Sequence, residues 1–210
     1  MSTLENTFAH HLAATPVVAI LRGLQPADAG AVGRALIDAG IRLIEVPLNR
    51  PHAHKALATL IDAVGSDAMV GAGTVLDVGE VNVVNDLGGR FIVSPDTNES
   101  VIAETKHRGL ISLPGFFTAS EAFRAIRAGA DALKLFPGDI AGAAGVKALK
   151  AVLPDDVPLL VVGGVSAANA ATFKTAGASG YGIGSALFKP GWTAGQVSEA
   201  ATAFVAAIRG

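Results

Sequence analysis

No cysteine occurs anywhere in the chain. That excludes a disulfide framework, a thiol nucleophile and a thiolate-ligated metal, and it agrees with a reducing compartment. Aromatic residues make up only 5% of the 210 residues, so the core has to be built from Val, Leu, Ile and Ala. Charged residues are scarce as well, at 16%, and the net charge of −2 leaves no basic field for nucleic acid or anionic lipid. No apolar run approaches the roughly 20 residues that a membrane span needs. The stretch MSTLENTFAHHLAAT lacks the basic and apolar regions of a signal peptide and reads as a short amphipathic helix. The expectation is a soluble, cytoplasmic protein with no nucleic-acid or membrane partner.

What is present is a repeated pattern. Short apolar runs recur: VVAIL (17–21), LIEVPL (43–48), MVGAGTV (69–75), FIVSP (91–95), LISLPG (110–115), ALKLFP (132–137), LLVVGGV (159–165) and GYGIGSALF (180–188). Continuous apolar runs suit strands covered on both faces, as in parallel sheets. Helical runs lie between them and often end in glycine, as at Gly40, Gly65 and Gly129. Thr118 with Glu121, and Asp77 with Glu80, have the spacing of capping boxes. Eight strand–helix units over residues 1–210 predict one α/β domain, a (β/α)8 barrel with a short N-terminal helix. No G-x-G-x-x-G follows the first run, which disfavours an open dinucleotide-binding sheet.

Barrel chemistry sits at the C-terminal ends of the strands. Those ends offer Arg22, Glu45, Asn49, Thr74, Ser94, Lys134, the pair Gly163-Gly164, and GIGSA around Ser185. Lys134 interrupts an apolar strand, and lysine is almost never fully buried without a partner or a purpose. Two readings stand: an ion-paired or snorkelling lysine, or an amine made nucleophilic by desolvation. Glu45 interrupts a second apolar run. In a closed barrel the two side chains can converge, either as a structural ion pair or as a base beside an imine-forming lysine. An inward Arg22 would add a cation for a carboxylate or phosphate. The glycine turns after the last two runs suit phosphate held by backbone N–H groups, with Ser166 as a helix cap. His52 and His54 form an H-x-H pair that reads as a solvated helix start. No strand end joins histidine to carboxylates, so no metal is expected.

These residues resemble a known family. VAILRG, LIEVPLN, VGAGTVL, FIVSP, LPGFFTASEA, LKLFPG and VGGV…GIGSAL appear in the order found in the bacterial class I aldolases that cleave 2-keto-3-deoxy-6-phospho sugar acids, including ketohydroxyglutarate aldolase. The resemblance implies that Lys134 forms the Schiff base and that Glu45 is the general acid/base. It places Arg22 and Thr74 at the pyruvate end and has Pro95 and Phe136 line the site. It gives the phosphate end to Gly163, Gly164 and Ser185. It implies a homotrimer, a phosphorylated keto sugar acid as substrate, and no cofactor or metal. Val162 and Asn49 resemble the galactonate-type members rather than the gluconate-type, so 2-keto-3-deoxy-6-phosphogalactonate is the expected substrate. The gluconate epimer and 4-hydroxy-2-oxoglutarate are the alternatives. A phosphosugar epimerase or isomerase, or a non-catalytic phosphoanion-binding barrel, would share the fold.

Overall fold

Side chains along a strand alternate between its two faces, so each apolar run has to fill two spaces at once. The computed structural model, which describes residues 2–209, shows what those spaces are. The strands are β1 (Val17–Ile20), β2 (Leu43–Pro47), β3 (Met69–Gly73), β4 (Phe91–Val93), β5 (Ile111–Leu113), β6 (Gly115–Phe116), β7 (Leu133–Leu135), β8 (Leu159–Val162) and β9 (Gly180–Ile183). They pair in the order β5-β4-β3-β2-β1-β9-β8-β7-β6, and every pairing is parallel.

The fifth run holds two strands because Pro114 interrupts it. Proline has no N–H to give to a ladder. Its carbonyl still accepts from Lys134 N at 3.0 Å, and the Ser112 carbonyl accepts from Asp131 N at 3.0 Å. β5 and β6 are therefore two halves of one stave, and the nine strands make the eight-staved (β/α)8 barrel that the sequence predicts.

The inner face of the barrel is plugged by side chains such as Leu43, Met69, Phe91, Ile111 and Leu160. Phe8 and Leu12 of α1 (Thr3–Ala14) join that plug and stopper one end. Each such side chain is worth ~1.5–3 kcal/mol when buried. Lys106 Nζ lies 2.6 Å from Asp131 Oδ1 and 3.2 Å from Glu5 Oε1, which ties α1 to the barrel wall. The outward residues, among them Ala19, Ile44, Val46, Leu133, Leu135 and Val161, pack under the helical ring. That ring comprises α2 (Ala29–Asp38), α3 (Ala53–Val64), α4 (Val78–Asp86), α5 (Glu99–His107), α6 (Ala119–Arg127), α7 (Gly138–Lys150), α8 (Ala170–Thr175) and α9 (Ala194–Arg209). Among the described residues, no helix is long and apolar enough to cross a membrane.

The helix starts follow their caps with two adjustments. Thr118 and Glu121 form the full capping box of α6. Asp77 accepts from Glu80 N at 2.9 Å, but the Glu80 carboxylate takes the Leu76 N–H at 2.7 Å, so only half of that box forms. Ser166 does not cap α8, which begins later, at Ala170. Asn169 organises that turn instead: its Oδ1 accepts from Ser166 N and its Nδ2 donates to the Gly164 carbonyl, both at 2.8 Å.

Candidate active site

Alternation decides where the two odd charges go. Ile44 and Val46 point outward, so Glu45 between them points into the barrel; Leu133 and Leu135 do the same for Lys134. Glu45 is only 3% exposed and Lys134 only 7%. Both line one small cavity of about 10 Å³, walled by Ile20 and Val162 among others. Yet no N–O contact within 4.0 Å pairs them, and Glu45 Oε2 has no hydrogen-bond partner among the described residues. A structural ion pair therefore does not explain the two charges.

Burying an unpaired ion costs several kcal/mol, and the group escapes by shifting toward its neutral form. Burial pushes the Glu45 carboxyl above the usual carboxylate range, while the charges of Lys134 and Arg22 pull it partly back. Burial likewise pulls Lys134 below the usual lysine range; Glu45 opposes this, Arg22 adds to it, and Asp96 opposes it weakly. The Lys134 ammonium nitrogen also lies 5.1 Å from the centre of the Phe136 ring, within cation–π range. The arrangement is an amine biased toward neutrality beside a carboxyl biased toward holding its proton.

Above this floor a larger cavity of about 490 Å³ opens at the C-terminal end of the barrel. Arg22, Phe136, Val162, Gly163, Gly164 and Ser185, all named from the sequence, line it. Ile20, Val162 and Gly182 line both cavities and so mark the passage between them. Arg22 Nη1 donates to Asn49 Oδ1 at 2.7 Å, which aims the guanidinium across the mouth. Gly163 and Gly164 take φ of +99° and +69°, a backbone that side-chain-bearing residues rarely adopt. Among the described residues, the N–H groups of Gly164 and Ser185 donate to no protein acceptor. Residues 184–188 form one helical turn, with Leu187 N and Phe188 N both donating to the Gly184 carbonyl.

Two expected residues stand apart. Thr74 adopts a φ of +57° just past β3, and Pro95 turns its carbonyl toward Gly115; neither lines either cavity. Their assignment rests on the motif alone. Gly184 of the GIGSA turn lines the mouth too, and so do Arg50 and Lys189, which were not singled out in the sequence. Arg50 and Lys189 sit in loops beyond the strand ends, where a reading confined to strand ends does not look. His52 and His54 lie on the exposed start of α3. Among the described residues, no group of three or more His, Asp or Glu could hold a metal ion.

Residues 8–202 match the family described as KDPG and KHG aldolase. A probable 2-dehydro-3-deoxy-6-phosphogalactonate aldolase of Rhizobium meliloti (strain 1021) is 43% identical over 192 residues, covering 91% of each chain. The 2-dehydro-3-deoxy-6-phosphogalactonate aldolase of Escherichia coli (strain K12) is also 43% identical, over 92% of this chain and 95% of its own length. A solved structure described as native KDPGal superposes with a TM-score of 0.90 at 43% identity, covering 92% of this chain and 94% of the other. A barrel with a lysine and a glutamate buried unpaired at its floor, matched over nearly its whole length by aldolases, belongs to the KDPG and KHG aldolase family.

Proposed function

We propose that this aldolase acts through an imine on Lys134 and cleaves 2-dehydro-3-deoxy-6-phosphogalactonate between C3 and C4, giving pyruvate and D-glyceraldehyde 3-phosphate. The observation that carries the reading is the unpaired burial of Lys134 and Glu45 in one barrel cavity. The neutral Lys134 amine adds to the C2 carbonyl; the Glu45 carboxyl then gives its proton to the departing carbinolamine hydroxyl, so that water leaves, the imine is protonated and Glu45 is left as a carboxylate. Glu45 takes the proton of the C4 hydroxyl, directly or through one water, for which the floor cavity is large enough. The C3–C4 bonding pair moves into the imine, which becomes an enamine while C4 leaves as the aldehyde. Glu45 returns the proton to C3, and water hydrolyses the protonated imine to release pyruvate and the free amine, the proton set free in that step going back to the Glu45 carboxylate.

Arg22, aimed by Asn49, binds the substrate carboxylate as a fixed cation. Gly163, Gly164 and Ser185 take the phosphate, Gly164 and Ser185 through unpartnered backbone N–H groups, with Arg50 and Lys189 supplying positive charge at the same mouth. The galactonate configuration is supported by Val162, which gives no hydroxyl at the passage, and by the two relatives that carry that substrate in their names. The chain works as one barrel domain in the cytoplasm, and as a homotrimer. Association is supported by apolar side chains left in the open, such as Ile140 at 73% and Val152 at 57% exposure.

The test is to incubate the protein with pyruvate, reduce with borohydride and weigh it. A stable adduct on Lys134 is expected, and Lys134→Met should give neither adduct nor cleavage while keeping the fold. An adduct-free wild type, or normal turnover by Lys134→Met, would fit an epimerase or a binding barrel instead.

A further inference from the structure

Past Met69, β3 shows the barrel interior a bare face, because the inward positions 71 and 73 are both glycine. Glycine inside a strand weakens it and often marks a close approach by another group. Neither glycine has a positive φ, so the backbone does not require them. Space does. A Cβ on Gly71 would meet the Phe91 carbonyl oxygen at 2.2 Å and the Phe91 ring at 2.6 Å. A Cβ on Gly73 would meet Glu45 Oε1 at 2.6 Å, Cδ at 2.7 Å and Oε2 at 2.8 Å. Its three nearest neighbours are thus the three atoms of one carboxylate. Gly73 pairs with Pro47 across β2 and β3, and its carbonyl accepts from Leu48 N at 2.8 Å. The bare spot is therefore fixed relative to the strand that carries Glu45.

We infer that Gly73 is a positioning residue for proton transfer: its missing side chain is the seat on which the Glu45 carboxylate lies. The seat needs no hydrogen bond, which agrees with the partnerless Oε2. It holds the carboxylate by shape, between the charges of Lys134 and Arg22 that face it. The inference rests on Glu45 being the proton-transfer group proposed above.

In Gly73→Ala the carboxylate has to retreat by the better part of an ångström, a displacement that can cost up to about 10²-fold in rate. We expect a fall in kcat of about 10- to 100-fold with KM little changed. Pyruvate trapping on Lys134 should still go to completion at long incubation, and the limb of the kcat–pH profile that reports Glu45 should move. Glu45→Asp shortens the side chain, so adding Gly73→Ala to it should cost much less than adding it to wild type. Wild-type kcat with an unmoved pH profile in Gly73→Ala overturns the inference, and so does an equal penalty in both backgrounds. If Gly73→Ala does not fold alone, a folded Glu45→Asp/Gly73→Ala protein supports the contact, and an unfolded one overturns it. Glu45→Gln separates the two levels: turnover like wild type removes the general acid/base itself, and the inference with it, whatever residue 73 does.

Discussion

Exchanging Val162 for threonine swaps one methyl for a hydroxyl at the passage between floor and mouth. Val162 is 8% exposed, and its Cγ2 and Cγ1 lie only 2.6 and 3.2 Å from where a Cβ on Gly182 would stand. The branched shape is thus already accommodated over a bare glycine, and threonine, being nearly isosteric, fits without moving the strand. The hydroxyl then has no protein partner supplied for it. A buried unpaired hydroxyl costs about 1–3 kcal/mol, and a chain of this size loses roughly 2–4 °C per kcal/mol. The free Val162→Thr enzyme should therefore melt about 2–12 °C lower. A substrate hydroxyl that reaches residue 162 returns a hydrogen bond worth about 0.5–1.5 kcal/mol, or roughly 2- to 10-fold in kcat/KM. That gain should go to the gluconate epimer. Steady-state kinetics of both C4 epimers on both proteins, with melting curves beside them, give the answer. A lowered melting temperature with an unchanged epimer ratio would refute the reasoning, because the hydroxyl would then be buried but out of reach of the substrate. A strong wild-type preference for the gluconate epimer would overturn the proposed substrate and leave the aldolase chemistry untouched.

The phosphate end is best probed at Gly184, because a Cβ there meets only Ile20 Cβ at 3.9 Å, whereas one on Gly164 would run into Asp139 Cβ at 2.5 Å on a positive-φ backbone. Gly184→Asp should raise KM for the phosphorylated substrate about 5- to 30-fold through like-charge repulsion of ~1–2 kcal/mol. Added salt should soften the effect, pyruvate trapping should be unaffected, and an unchanged KM places the phosphate elsewhere. The buried pair also predicts a pH signature in stability. Glu45 is raised, so what it contributes to stability is lost as pH rises through its folded value; Lys134 is lowered, so what it costs is relieved as pH rises toward the ordinary lysine range. Lys134→Met/Glu45→Gln should therefore outlast wild type most in the neutral window, with the gap in melting temperature narrowing toward both acid and alkali. A gap that does not vary with pH would refute this.

Much of this was legible because strand alternation is a local property. The runs around Glu45 and Lys134 were apolar on both sides, so each charge had to enter the barrel if the flanking residues packed outward. Thr118 with Glu121 gave a true cap for the same reason: the partners lie three residues apart and meet as soon as the helix starts. Asp77 with Glu80 had identical spacing and formed only half a box, because the Leu76 N–H was a competing donor that spacing does not reveal. Pro114 was visible in its run, but whether it ended a strand or split a stave depended on β7 lying alongside.

By itself, the sequence determined the eight-unit barrel, the two buried charges and the glycine turns, since periodicity, propensity and turn chemistry act over a few residues. Only the tertiary structure decided that Glu45 and Lys134 share a cavity without forming an ion pair. It alone brought Arg50 and Lys189 to the mouth, kept Thr74 and Pro95 off both cavities, and set the Glu45 carboxylate on Gly73. The physical reason is one of range. Period two fixes which face a side chain takes, but distances across a barrel are set by the register of all eight staves and the closure of the ring, to which no short stretch of chain has access.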